Sequence, residues 1–122
     1  MYFDIIKSVK KIFIVFGHHN TSGSFNSEIR DNFINEAKKC GHYIDLVNLF
    51  DEKEKLPFYN SNFNPPPKLV LDYRDRLEKS DVMFLIGSCN NLRLNSILEN
   101  WVDWVLHPKW FFTYKEAIPG SK

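Results

Sequence analysis

Seven residues near the start of the chain, Lys11 to Gly17 (KIFIVFG), restrict the possible folds more than any other stretch. Ile12 to Phe16 are apolar without alternation, which leaves a strand no side to turn toward water. Such a run belongs in a sheet covered on both faces, the usual setting of parallel strands. The β-branched Ile12, Ile14 and Val15 and the closing Gly17 favour a strand over a short buried helix. A second run of the same kind, VMFLIG within SDVMFLIGS, ends at Gly87.

The segments between and after these runs read as helices, a weaker strand and a long loop. Phe25 to Cys40 carries apolar residues at 25, 29, 33, 34 and 37, which predicts an amphipathic helix. Ser24 is its expected N-cap, and Gly41 follows the last turn where a left-handed glycine closes many helices. Tyr43 to Phe50 alternates in part, with Ile44, Leu46 and Phe50 opposite Asp45 and Val47, which predicts a strand near a sheet edge. Asp51 to Lys68 contains charges, asparagines and three consecutive prolines and predicts a long irregular loop. Lys68 to Lys79 places Leu69, Val70, Tyr73 and Leu77 at helical spacing. Leu94 to Leu106 does the same with Leu94, Ile97, Leu98, Trp101 and Val105, and Trp101 and Trp104 are expected in the core.

The order β, α, β, loop, α, β, α, without internal repeat, gives an α/β fold with a parallel sheet and right-handed crossovers. At 122 residues this is one domain, with residues 1–10 as a lead-in and 11–122 as the folded unit. Sixteen Lys and Arg against fifteen Asp and Glu, scattered along the chain, give nucleic acid or an anionic membrane little to bind. Cys40 and Cys89 have neither C-x-x-C nor zinc-finger spacing, which points to the reducing cytoplasm. No apolar run approaches the roughly 18 residues of a membrane span, and the N-terminal apolar patch is too short for a secretory signal.

In open parallel sheets, ligands sit beyond the carboxyl ends of the strands. There the segment GHHNTSGS joins the first strand to the first helix. The unpaired amides and partial positive charge of a helix N-terminus can hold a phosphate without a lysine or arginine. Thr21, Ser22 and Ser24 offer hydroxyls, Gly23 permits close backbone approach, and Asn26 offers its amide. The same residue types also serve a plain helix cap. His18 and His19 are adjacent on an irregular loop with no carboxylate or cysteine at ligand spacing, so no metal site is expected.

Residues 11–50, through KIFIVFGHHNTSGSFN, resemble the opening of the flavodoxin-like NAD(P)H dehydrogenase (quinone) family, whose first strand ends in a small residue plus His, followed by a loop and SFN. SDVMFLIGSCNNLRLNSILENWVDWVLHPKWFFTY is similar to that family's third strand, flavin-facing loop, ILKGW helix and aromatic segment. The resemblance implies a flavodoxin-like three-layer αβα fold. It further implies a flavin, FAD or FMN, that takes hydride from NAD(P)H and delivers it to a quinone or similar acceptor. His18, Thr21, Ser24, Phe25 and Asn26 then fall on the phosphate side of the flavin. Ser88, Cys89, Asn90, Asn91 and Leu92 fall on its ring side, and Phe112 and Tyr114 near the substrate pocket.

The chain departs from the family pattern in two ways. Where the family has PLWWF or PLQWF, this chain has SCNNL, and Asn95 stands in place of a second family proline. The family also has five strands ordered 2-1-3-4-5, of which only the first three are expected here. The third strand then forms an open edge, which predicts a homodimer through it. The rival expectations are an inactive shortened relative and an ancillary subunit of a potassium efflux system. Cys89 reads as a small buried residue, and His42 and His107 as residues at helix ends.

Overall fold

The computed structural model describes residues 8–63, 65–90 and 93–107. Its elements are β1 (Lys11–Gly17), α1 (Phe25–Lys39), β2 (Tyr43–Asn48), α2 (Lys68–Glu78), β3 (Val82–Gly87), β4 (Cys89–Asn90), β5 (Arg93–Leu94) and α3 (Ser96–Val105). β2, β1 and β3 form one sheet in that order, and both pairings are parallel. The register runs from Lys11 opposite Tyr43 to Phe16 opposite Asn48 on one side. On the other it runs from Ile12 opposite Val82 to Gly17 opposite Gly87.

The unbroken apolar run of β1 follows from its central position. Phe13 and Val15 face a core built with Val47, Val70, Tyr73, Leu98, Trp101 and Trp104, while Ile12 and Ile14 face α1 at Ala37, Phe33 and Ile34. Helices thus cover both faces, and the fold is three-layered α/β, as expected. Trp101 packs a tilted ring against Phe13 at 6.0 Å between centroids and an edge-on ring against Tyr73, also at 6.0 Å. Both tryptophans of α3 belong to the core.

α1 is closed at both ends. The Ser27 amide donates to Ser24 Oγ and the Ser24 amide to Ser27 Oγ, a reciprocal capping box. At the other end Gly41 has φ +85°, and the amides of Gly41 and His42 donate to the carbonyls of Lys38 and Ala37. α1 packs Phe33, Ile34 and Ala37 of the predicted stripe into the core but not its first two positions. Phe25 and Ile29 are exposed, at 75% and 42%, while Ser27, Arg30 and Ala37 are buried. His42 sits between the end of α1 and the start of β2, as expected, and its Nδ1 accepts the Lys10 amide at 3.0 Å, which fastens the start of β1.

The loop between β2 and α2 is irregular, as its composition predicts, and tied down. Pro57 O accepts from Asn100 Nδ2 at 3.0 Å and from Trp104 Nε1 at 2.8 Å, and the Tyr59 amide donates to Asn100 Oδ1 at 2.8 Å. Lys55 Nζ donates to the carbonyls of Leu49 and Phe50. The two-residue antiparallel ladder of β4 and β5 was not expected from the sequence, because pairs this short carry no periodic signal. It leaves Cys89 exposed, which corrects the expectation of burial. Among the described residues β3 pairs only with β1, and Val82 and Phe84 keep 36% and 40% exposure.

Candidate functional site

Gly17 and Gly87 are opposite each other at the carboxyl ends of adjacent parallel strands, so the loops that follow them leave the sheet at one level. The first is the turn from His18 to Ser24. His18 Nδ1 lies 3.1 Å from the Asn20 amide and 3.4 Å from the Asn20 carbonyl, so the ring is fastened to the turn. His18 and His19 stack at 4.5 Å, and His19 meets the exposed Phe50 edge-on at 6.4 Å.

The Ser24 hydroxyl is committed within the turn, donating to Asn20 O at 2.9 Å and accepting from Ser27 N. It acts as a cap, and the anion-binding capacity of the turn lies in its backbone. Of the first helical amides, Ser27 donates to Ser24 Oγ and Glu28 to Ser24 O. The amides of Phe25 and Asn26 have no acceptor in the helix, as at any helix start. Gly23 has φ +73° and nothing within 4 Å of where a Cβ would stand, so the backbone beside these amides is open. Thr21 contributes through its carbonyl, which accepts from Arg30.

Arg30 is the residue that the sequence reading missed. It is 6% exposed, and each guanidinium nitrogen has an acceptor: Thr21 O at 2.8 Å, Asn48 Oδ1 at 3.0 Å and Asp31 Oδ1 at 2.9 Å. Its guanidinium lies 4.5 Å from the centre of the Phe16 ring. It therefore joins the ends of β1 and β2 to the turn, with its charge paired to Asp31. The available signal was its place in the stripe 27, 30, 34 and 37 of α1, where a charged residue interrupts apolar or small ones.

On the β3 side, Ser88 follows the strand and Cys89 and Asn90 form β4. Asn95 joins the two loops. Its Nδ2 donates to Gly17 O and, at 3.2 Å, to Ser88 Oγ, while its Oδ1 accepts the Leu98 amide at 3.2 Å as the cap of α3. The Asn95 amide also donates to Ser88 O at 3.2 Å. α3 comes so close that Leu98 occupies the space of a side chain at both Gly17 and Gly87. Asn91, Leu92, Phe112 and Tyr114 lie outside the described residues.

A small cleft of about 50 Å³ opens beside this arrangement, lined by Leu49, Glu52, Tyr73, Ile97 and Asn100 among others. Burial, reinforced by Glu52, pushes the Tyr73 phenol up to about 12 against the opposing pull of Arg76. Among the described residues no cluster of three or more His, Cys, Asp or Glu could hold a metal ion. No helix among them is long and apolar enough to cross a membrane.

Residues 10–122 match the family described as Flavodoxin-like fold. Over 104 residues the chain is 27% identical to an FMN-dependent NADH:quinone oxidoreductase of Mycoplasma mobile, covering 82% of this chain and 52% of that protein. An NAD(P)H:quinone oxidoreductase from Methanothermobacter marburgensis superposes with a TM-score of 0.72 at 19% identity, over 80% of this chain and 53% of its own. A solved structure from Klebsiella pneumoniae gives a TM-score of 0.67 at 15% identity, over 79% of this chain and 45% of its own. The chain thus spans about half the length of the relatives it matches.

Proposed function

The chain belongs to the flavodoxin-like fold family, and from that premise we propose that it binds a flavin at the carboxyl ends of β1 and β3 and serves the reduction of a quinone or similar acceptor by NAD(P)H. The observation that carries this reading is the pairing of two loops at one level of the sheet. One presents the open amides of Phe25 and Asn26 to a phosphate, and the other begins at Ser88 beside Asn95. The donor set suits a nucleotide: helix-start amides supply positive potential without a lysine cluster, beside the His18 ring and on a turn braced by Arg30 through Thr21 O.

When bound, a flavin supplies the two-electron chemistry, accepting hydride from the nicotinamide and passing it to the acceptor. The protein's part is to bind, orient and shield. The amides of Phe25 and Asn26 would hold the phosphate end, and Ser88, Cys89 and the backbone of Asn90 would meet the ring. The relative from Mycoplasma mobile is FMN-dependent, so FMN is the first flavin to test, with FAD beside it. NADH or NADPH as donor, a cytoplasmic setting and pairing of two copies through the β3 edge belong to the same reading.

Titration of the purified protein with FMN, followed by quenching of flavin fluorescence, tests it. Saturable 1:1 binding, with NADH oxidation that depends on both FMN and a quinone, is the expected result. Failure to bind FMN or FAD removes the reading and leaves the non-catalytic alternatives. FMN binding without turnover confines the protein to flavin binding.

A further inference from the structure

We infer that Asn95 is a positioning residue that fixes the turn after β1 and the loop after β3 at the separation one flavin must span. The inference rests on the flavin reading above. Three features converge on this side chain. Its single Nδ2 reaches both Gly17 O, the last carbonyl of β1, and Ser88 Oγ, the first side chain after β3. Its Oδ1 holds the first turn of α3 through the Leu98 amide, and its own amide returns to Ser88 O. Leu98, held in that first turn, fills the space above both Gly17 and Gly87. One amide group thus relates two strands, two loops and one helix start.

The chemistry requires both atoms of that amide. The oxygen serves the helix cap, a task that Ser or Asp performs equally well. The nitrogen serves the two loops, and only a donor of that length and direction reaches a main-chain carbonyl on the neighbouring strand. A proline here could provide a stiff helix start but no side-chain donor. The loop distance is therefore set in this chain by a hydrogen-bonded side chain.

Two substitutions separate the cap from the link. Asn95→Ser keeps a cap oxygen but falls short of Gly17 O, and Asn95→Asp keeps shape and cap but turns an acceptor toward that carbonyl. Three quantities are measured on wild type and both variants: the denaturant midpoint without flavin, the affinity for inorganic phosphate, which engages the turn after β1 alone, and the affinity for FMN, which spans both loops. The expected result for Asn95→Ser is a modestly lower midpoint from the two lost hydrogen bonds, unchanged phosphate affinity and FMN binding weaker on the order of tenfold. Asn95→Asp is expected to weaken FMN at least as much. FMN affinity equal to wild type in Asn95→Ser overturns the inference, and so does parallel weakening of phosphate, because the turn itself would then be disturbed. Absence of FMN binding by the wild type overturns the flavin reading and this inference with it.

Discussion

Replacing Gly17 by alanine tests how the site is built, because the nearest atoms to the added methyl group belong to Leu98 and Ile97. A Cβ at Gly17 would stand 2.5 Å from Leu98 Cγ, 2.9 Å from Leu98 Cδ2 and 3.1 Å from Ile97 Cγ2. Its backbone is that of an ordinary strand, so alanine meets no conformational penalty and gains about 0.5 to 1 kcal/mol from reduced chain entropy. Overpacking costs about 1 to 3 kcal/mol, which leaves a net loss of about 0 to 2.5 kcal/mol, toward the upper end at so close a contact. Leu98→Ala alone, at a fully buried position, should cost about 2 to 5 kcal/mol. In the double variant the methyl at 17 enters the space that Leu98 vacates, so the pair should cost no more than Leu98→Ala alone. Urea unfolding of the four proteins gives the coupling energy, expected to exceed about 1 kcal/mol in the compensating direction. Additivity within about 0.5 kcal/mol would refute the claim that α3 is seated on a strand end kept free of side chains.

Three further outcomes follow from the same geometry. Arg30→Met should lower stability by about 2 to 4 kcal/mol and speed amide exchange across residues 21–26, since Thr21 O and Asn48 Oδ1 lose their donors; unchanged exchange there, measured by mass spectrometry, would show that Arg30 does not hold the turn. Tyr73 has its folded pKa raised from 10.0 to about 12, so the stability it contributes is complete below pH 10 and is lost as pH rises toward 12; Tyr73→Phe should remove up to about 2 kcal/mol of that decline, read as a flatter dependence of the urea midpoint on pH between 9.5 and 11.5, roughly the range in which the unfolded phenol ionises first. Ser24→Ala removes both the acceptor for Ser27 N and the donor to Asn20 O and should cost about 1 to 2 kcal/mol, whereas Ser24→Asp, which restores the acceptor, should recover at least half of it by thermal unfolding.

Much of the fold is written locally. β1 and β3 could be read from the sequence because a strand covered on both faces must be apolar at successive positions, whatever lies around it. The ends of α1 were legible because Ser24 and Gly41 act within one turn of themselves. The same locality places an irregular turn between β1 and α1. Ser24 was legible as the cap, but a sequence shows that a donor exists and not where its hydrogen goes; here it goes to Asn20 O.

What the chain alone could not decide depends on elements that are distant in sequence and meet only on folding. The orientation of α1 was set by Arg30, whose three acceptors and underlying Phe16 ring make a charged residue more buried than Phe25 or Ile29. The joining of the two loops was set by Asn95, seventy-eight residues from Gly17, and no periodic pattern records such a contact. Sequence determined the elements and their order, because propensity, capping and hydrophobic period act over a few residues. Tertiary structure determined the site, because it requires two strand ends, a helix start and a buried cation to share one level of the sheet.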